Sequence, residues 1–176
     1  MRKYQTILAD PPWQYRDTAR FKKYRPKMGV GAVWHYDTMA TADICNLKIP
    51  ADKNCILFLW VTTPFLPDGF KVMEAWGFKY KTSIYWRKIM SLGLGHWFRG
   101  QVEVCLVGIK GHIKAFHCQK CNVIQSKVRR HSQKPEELFD LIEPYCPAPR
   151  LEMFSRARRK GWSAWGNEIK SDIRLS

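Results

Sequence analysis

The chain has 176 residues, of which 45% are hydrophobic, so it is long enough to bury the core of one domain. Its 30 Lys and Arg against 15 Asp and Glu leave a formal net charge of +15, which favours a polyanionic partner such as a nucleic acid. No apolar run has transmembrane length, and too few apolar residues follow the basic start for a signal peptide. We expect one domain over residues 1–176. Six cysteines, several inside apolar runs, indicate a reducing, cytoplasmic compartment.

Strand-like and helix-like segments alternate along the chain. In chain order the patterns predict a strand at 5–9, a helix at 41–49 with Thr41 as N-cap, a strand at 55–61, a helix at 67–77 ending at Gly77, strands at 79–88 and 102–111, a helix at 134–145 and a strand at 150–156. Such alternation predicts an α/β fold with a mostly parallel sheet and helices on both faces. Ligands of such sheets bind beyond the carboxyl ends of the strands. The chain lacks GxGxxG and GxxxxGK[ST], so neither a dinucleotide site nor a P-loop is indicated.

Basic residues cluster in three stretches, at residues 20–27, 127–134 and 156–160. The first stretch places two aromatic side chains among five basic ones. Clustering of this kind is typical of contacts with a phosphate backbone, whereas scattered lysines would indicate only a basic surface. The predicted backbone contacts are Lys22, Lys23, Arg25, Arg129 and Arg130.

The segment Asp10-Pro11-Pro12-Trp13 ends the first predicted strand and has the parts needed to bind an aromatic amine. A carboxylate and a proline carbonyl can accept both N–H bonds of an exocyclic purine amine, which aims the nitrogen lone pair at an electrophile. Two prolines fix the backbone that presents these acceptors, and an indole can stack on the base. The alternative is a strand-ending turn with an exposed aspartate. The segment therefore predicts a catalytic site.

The sequence "ADPPW" resembles the catalytic signature of the MT-A70 family of S-adenosylmethionine-dependent adenine-N6 methyltransferases. Six further segments resemble the family in its order, namely "HYDTMATADICNLKIPA", "LFLWVTTPFL", "GFKYKTSIYWRK", "GLGHWFRGQVEVCLVGIKG", "HSQKPEELFDLIE" and "LEMFSRARRKGWSAWGNE". Together they cover about residues 5 to 168. The resemblance implies a Rossmann-like, circularly permuted class I methyltransferase fold with a mostly parallel central sheet. The catalytic strand would come first and the cofactor strand last.

The resemblance also implies roles for single residues. Asp10 and the Pro11 carbonyl would hold the target amine, Trp13 would flank the base, and Tyr36 and Glu103 would lie near it. Asp10 and Lys134 would also bind S-adenosylmethionine, Lys134 at its methionine part, while Arg156, Asn167 and Glu168 would hold its adenosine part. From the residues alone, Tyr36 could equally be a core tyrosine and Lys134 a solvated lysine in the first turn of a helix.

Two further segments have a functional and a structural interpretation. His96 and Trp97 lie where three glycines fall within eight residues, which indicates either a loop that closes over the base or an ordinary connection. The "HCQKC" segment, with His117, Cys118 and Cys121, resembles half of a zinc site, and His112 or Cys146 could add a ligand. We predict no metal, because no second pair at the spacing of a zinc finger exists and the segment also fits a loop with free thiols.

The predicted function is methyl transfer from S-adenosylmethionine to the N6 amine of adenine in a nucleic acid. DNA is favoured, because a catalytic domain that fills the chain looks bacterial or phage-like. RNA is the nearest alternative for the substrate. A non-catalytic nucleic-acid-binding subunit of such an enzyme is the alternative from another class, and the family leaves a homodimer or a heterodimer open. Retention of Asp10, Trp13, Lys134 and Asn167 favours an active enzyme.

Overall fold

The computed structural model describes residues 2–14, 38–91, 97–129 and 133–175. Within these ranges one seven-stranded sheet has the order β5-β3-β4-β2-β1-β6-β7. The strands are β1 (Tyr4–Ala9), β2 (Ala51–Val61), β3 (Lys79–Ile89), β4 (Val102–Lys110), β5 (Val123–Lys127), β6 (Arg150–Met153) and β7 (Trp162–Trp165). The α-helices are α1 (Thr41–Asn46), α2 (Leu66–Ala75) and α3 (Glu137–Ile142), and a 3-10 turn, Thr63–Phe65, precedes α2.

The sheet is mostly parallel, as predicted. β2, β1, β6 and β7 are parallel to one another, and β5 is parallel to β3. Because β4 is antiparallel to both β2 and β3, all six of these strands run in the same direction. Six strands therefore end at the edge where β4 begins, which we call the carboxyl edge. β1 lies between β2 and β6, so the last part of the chain returns to the side of the first strand. This arrangement fits the Rossmann-like methyltransferase fold that the sequence predicts.

Helices cover both faces of the sheet. On one face, α1 and α2 contribute Ile44, Val72 and Met73 to a core that includes Ile7 and Leu57. On the other face, the apolar side of α3 packs over a second cluster built on the alternate residues of the same strands. β2 is buried on both sides from residue 55 to 61, which explains its nearly continuous apolar sequence.

Several predicted boundaries differ from those observed. The helix predicted at 134–145 spans only residues 137–142, since residues 133–135 have no helical structure. Lys134 therefore does not lie in the first turn of a helix, as its structural interpretation would require. The strand predicted at 150–156 ends at Met153, so Arg156 lies three residues beyond the strand. β5, of five residues, and β7, of four residues, were not predicted.

The ends of the first two helices show one error and one correct prediction. Thr41 is the first residue of α1 rather than its cap, and Ala40 takes the N-cap position without a side-chain hydrogen bond. Gly77 follows the cap of α2 with φ of 78°, a left-handed conformation that glycine adopts at little cost. The predicted helix end at Gly77 is thus confirmed. Across the described ranges, no helix has the length and apolar character needed to cross a membrane.

Candidate active site

The carboxyl edge brings two acids and a lysine from distant parts of the sequence into contact. Asp10 directly follows β1, and Glu103 is the second residue of β4. Lys134 comes from the segment before α3, and its Nζ lies 2.9 Å from Asp10 Oδ1 and 3.2 Å from Glu103 Oε2. The side chains are 27%, 14% and 19% exposed for Asp10, Glu103 and Lys134, so a ligand can reach them although water is largely excluded.

A fourth charge extends this cluster along the edge. Lys88, near the end of β3, pairs with Glu103 Oε1. The order Asp10, Lys134, Glu103, Lys88 alternates in sign, and we call these four residues the charged row. Two carboxylates and two ammonium groups make the charged row neutral as a whole.

Two buried indoles lie under the ammonium groups of the charged row. Lys134 Nζ is 5.7 Å from the ring centroid of Trp60, and Lys88 Nζ is 5.1 Å from that of Trp86. The two rings meet edge to face, with centroids 6.4 Å apart. An indole face attracts a cation and offers no competing hydrogen bond, so it holds each ammonium without neutralising it. Trp60 Nε1 is buried and has no hydrogen-bond partner in the described part of the chain.

The acids of the charged row differ in proton affinity. Burial raises the pKa of Asp10 above its ordinary value, and Lys134 offsets only part of that rise. Burial also acts to raise the pKa of Glu103, but Lys134 and Lys88 together hold it below its ordinary value. The pKa of Lys134 is raised, because the attraction of Asp10 and Glu103 outweighs the effect of burial. Asp10 is therefore the stronger proton acceptor, and Glu103 and Lys134 stay charged near neutral pH.

The backbone after Asp10 is held by hydrogen bonds and by an anchored indole. Pro11 O accepts the Trp13 N–H at 2.9 Å, which leaves one lone pair of that carbonyl for another donor. Pro12 O accepts the Met39 N–H at 2.8 Å. Trp13 Nε1 donates to Trp60 O at 3.1 Å, and its ring stacks on Phe65 at 5.6 Å. Trp13 is only 7% exposed, so its observed role is to anchor this turn, and its contact with a base stays a prediction.

A second polar group lies at the ends of β6 and β7, next to β1. Arg156 Nε is 3.4 Å from Glu168 Oε1, and both side chains are partly exposed. A Cβ on Gly166 would lie 2.1 Å from Ser155 O, so only glycine lets the two strand ends approach this closely. Asn167 follows Gly166 in the same loop and is exposed. The structure thus brings Arg156, Asn167 and Glu168 together, and Arg156 also interacts electrostatically with Asp10.

The remaining predicted site residues divide into two sets. Trp97 lies between β3 and β4 and is 93% exposed, and its neighbour Phe98 is 90% exposed. Arg129 is half-exposed, pairs with Glu136 at 3.2 Å and donates a hydrogen bond to Lys134 O at 3.2 Å. Outside the described residues lie Lys22, Lys23, Arg25, Tyr36, His96 and Arg130.

Sequence reasoning missed Lys88 and Glu152. The alternating pattern of residues 79–88 could have identified Lys88, because it places Lys88 two residues after Trp86 and therefore on the same face of β3. Glu152 lies on β6 opposite Leu8 of β1. Burial raises its pKa to about 7, and the nearby Asp10 adds to that rise. An acid inside the apolar pattern of a short strand was the available signal.

In the parts of the chain that the structure describes, no three His, Cys, Asp or Glu side chains are grouped to hold a metal ion. All six cysteines are free thiols. His117 has φ of 51°, so the "HCQKC" segment forms a tight loop on the surface.

Comparison with known proteins gives a consistent result. The sequence model of the MT-A70 family matches residues 4–168. The chain is 32% identical to the type II methyltransferase M.MunI of a Mycoplasma species, over 96% of this chain and 78% of that enzyme. It is 31% identical to the N(6)-adenosine-methyltransferase MT-A70-like protein of Arabidopsis thaliana, over 98% of this chain and 24% of that protein. It is 30% identical to the human N(6)-adenosine-methyltransferase catalytic subunit METTL3, over 95% of this chain and 28% of that subunit. The chain thus spans about a quarter of the length of these plant and human relatives.

Proposed function

Because the chain belongs to the MT-A70 family, we propose that it transfers the methyl group of S-adenosylmethionine to the N6 amine of adenine in a nucleic acid. The observation that carries the proposal is the position of Asp10. Its carboxylate lies at the carboxyl end of a central strand, next to Lys134 and to the free lone pair of the Pro11 carbonyl. This is where a sheet of this type binds its ligands.

The residues at the carboxyl edge suit S-adenosylmethionine, the methyl donor of MT-A70 methyltransferases. The Lys134 ammonium, held over an indole face, matches the carboxylate of the methionine part. The amide of Asn167 and the carboxylate of Glu168 match ribose hydroxyls, and Arg156 pairs with Glu168 and also acts electrostatically on Asp10. When bound, S-adenosylmethionine would supply a sulfonium methyl group as the electrophile, and breaking its S–CH3 bond would release a neutral thioether.

Asp10 and Pro11 act on the amine. Asp10 Oδ and the Pro11 carbonyl each accept one N6–H bond, which directs the nitrogen lone pair away from both acceptors and toward the electrophile. When nitrogen forms its new bond to carbon, positive charge develops on N6. Asp10 stabilises that charge, and its raised pKa makes it a suitable acceptor for the proton that N6 then loses. The fixed turn of two prolines and an anchored Trp13 keeps these acceptors in place, so positioning supplies most of the rate.

We favour DNA as the polymer. The alignment with M.MunI, a DNA methyltransferase, includes 78% of that enzyme, whereas three quarters of the adenosine methyltransferases lie outside their alignments. In duplex DNA the adenine must leave the base stack, which costs a few kcal/mol. Trp97 and Phe98 lie at the same edge as the charged row and expose two large aromatic rings that could stack with unpaired bases. The free thiols support a cytoplasmic location, and a dimer stays a prediction.

Transfer of a labelled methyl group to matched DNA and RNA oligonucleotides of one sequence tests the proposal. We expect labelled N6-methyladenine, identified by mass spectrometry, in DNA and much less in RNA. Label in RNA alone would retain the reaction and overturn the choice of polymer. Binding of both polymers without label in either would favour the non-catalytic subunit.

The basic stretch at 20–27 gives a second test. Replacing Lys22, Lys23 and Arg25 with alanine should weaken DNA binding. The slope of log affinity against log salt should become shallower, by the amount expected for the loss of up to about three phosphate contacts. An unchanged slope would mean that these three residues do not contact phosphate.

A further inference from the structure

Glu103 lies between two lysines, and the proposed function uses only one of them. Lys88 Nζ bonds to Glu103 Oε1, while Lys134 Nζ forms an ion pair with Oε2 at 3.2 Å, and Oε2 is buried without a hydrogen bond in the described part of the chain. Lys134 is also shared with Asp10, at 2.9 Å. Within the charged row, Lys88 pairs with Glu103. Lys134 therefore pairs with both acids of the charged row, whereas Lys88 pairs with Glu103.

The position of Lys88 is fixed from several sides. Its ammonium lies 5.1 Å from the ring centroid of Trp86, and Trp86 Nε1 donates to Ser126 Oγ of β5 at 3.0 Å. The Lys88 backbone N–H donates to Gln101 O at 2.8 Å, next to the start of β4. The side chain is 22% exposed. Lys88 is thus held in place without help from Lys134 or Asp10.

The charges around Glu103 show what Lys88 contributes. Among the described residues, the charged groups that act most strongly on Glu103 are Lys88 from β3 and Lys134 from the segment before α3, and Lys134 also pairs with Asp10 at the end of β1. β2 contributes the uncharged Trp60. Without Lys88, one ammonium would have to neutralise two partly buried carboxylates. Lys134 would then be held more tightly between Asp10 and Glu103 and would be less available to any other anion.

We infer that Lys88 is a positioning residue that holds Glu103 and balances its charge, so that Lys134 can turn to the carboxylate of the methyl donor. This inference rests on the proposed function, because the proposed function assigns Lys134 to that carboxylate. Two lysines hold the pKa of Glu103 below its ordinary value against the effect of burial. Loss of Lys88 should therefore raise that pKa and narrow the pH range in which the charged row is intact.

The test compares Lys88→Met, which removes the charge at similar length, with Lys88→Arg, which keeps it. Lys81→Met serves as the matched control, because Lys81 is an exposed lysine of the same strand. Three quantities are measured: the pKa of Glu103 by carboxyl NMR on the ligand-free protein, the Kd of S-adenosylmethionine by calorimetry, and kcat/KM for methyl transfer against pH.

In Lys88→Met we expect the pKa of Glu103 to rise by about one pH unit and the acid limb of kcat/KM to move to higher pH by the same amount. The Kd of S-adenosylmethionine should rise about tenfold at pH 7. Lys88→Arg keeps the charge and should therefore stay close to the wild type in all three quantities. Lys81→Met should match the wild type.

An unchanged pKa of Glu103 in Lys88→Met would overturn the inference, and so would a raised pKa with unchanged affinity for S-adenosylmethionine. A wild-type protein that neither binds S-adenosylmethionine nor methylates adenine would instead contradict the proposed function, and the inference with it. The NMR titration reports on Lys88 and Glu103 without any activity, so the two failures are distinguishable.

Discussion

Replacing Glu152 with glutamine should stabilise the protein at pH 8 and have little effect at pH 4. Burial raises the pKa of this carboxyl from 4.5 to about 7; Asp10 and Glu136 add to the rise, and Ser155 and Arg159 oppose it. Between these two values the folded protein binds more protons than the unfolded chain, so wild-type stability falls as the pH rises through that window. At about 1.4 kcal/mol per pKa unit, the full cost of ionising Glu152 is up to about 3 kcal/mol. Glutamine removes that cost, because it has no charge to bury.

Denaturation by urea at a series of pH values measures this effect. The free energy of unfolding of Glu152→Gln should exceed that of the wild type by up to about 3 kcal/mol at pH 8, and the difference should shrink toward zero by pH 4. Glu74→Gln, at an exposed position of α2, should show little difference at any pH. If the difference in the free energy of unfolding between Glu152→Gln and the wild type does not change with pH, ionisation of Glu152 does not destabilise the folded protein. That result would contradict a raised pKa for Glu152.

Two further substitutions test the packing that supports the site. Trp13→Ala should lower the free energy of unfolding by about 3–5 kcal/mol, since a buried and hydrogen-bonded indole is lost. Trp97→Ala, at 93% exposure, should change it by less than about 0.5 kcal/mol, and equal effects in urea denaturation would contradict the burial of Trp13. Gly166→Ala should cost about 1–3 kcal/mol, because its Cβ would lie 2.1 Å from Ser155 O. Gly100→Ala has no atom within 4 Å of its Cβ and should melt close to the wild type, whereas a matching loss would show that crowding at Gly166 is not the cause.

Most of the sheet could be predicted from the sequence, because its central strands have unambiguous patterns. Residues 55–61 form an apolar run typical of a strand buried on both faces, and the observed β2 contains it. The start of β2, residues 51–54, was missed because Asp52, Lys53 and Asn54 are polar and partly or fully exposed, so they extend no apolar pattern. β7 was missed because four residues between Gly161 and Gly166 carry too little periodicity to identify a strand. The antiparallel direction of β4 depends on tertiary pairing, which no local pattern records.

The candidate site was predictable in part. Asp10 could be located because an acid followed by two prolines cannot continue a strand. The pairing of Asp10 with Lys134 joins residues more than 120 positions apart, and the resemblance to the family, rather than spacing, placed them together. Trp13 was predicted to flank a base, yet its ring stacks on Phe65 inside the core. Composition alone cannot show which side of an indole is already occupied.

Methyl transfer by Asp10→Ala and Asp10→Asn tests whether Asp10 is the acceptor for the target amine. Each variant is given labelled S-adenosylmethionine and an adenine-containing oligonucleotide, with donor binding measured in parallel by calorimetry and Asp43→Ala, an exposed position of α1, as the control. We expect both Asp10 variants to lose at least about 100-fold in methyl transfer while they still bind the donor, and the control to keep wild-type activity. Transfer at the wild-type rate by Asp10→Ala would contradict the assignment of Asp10 as the acceptor for the target amine.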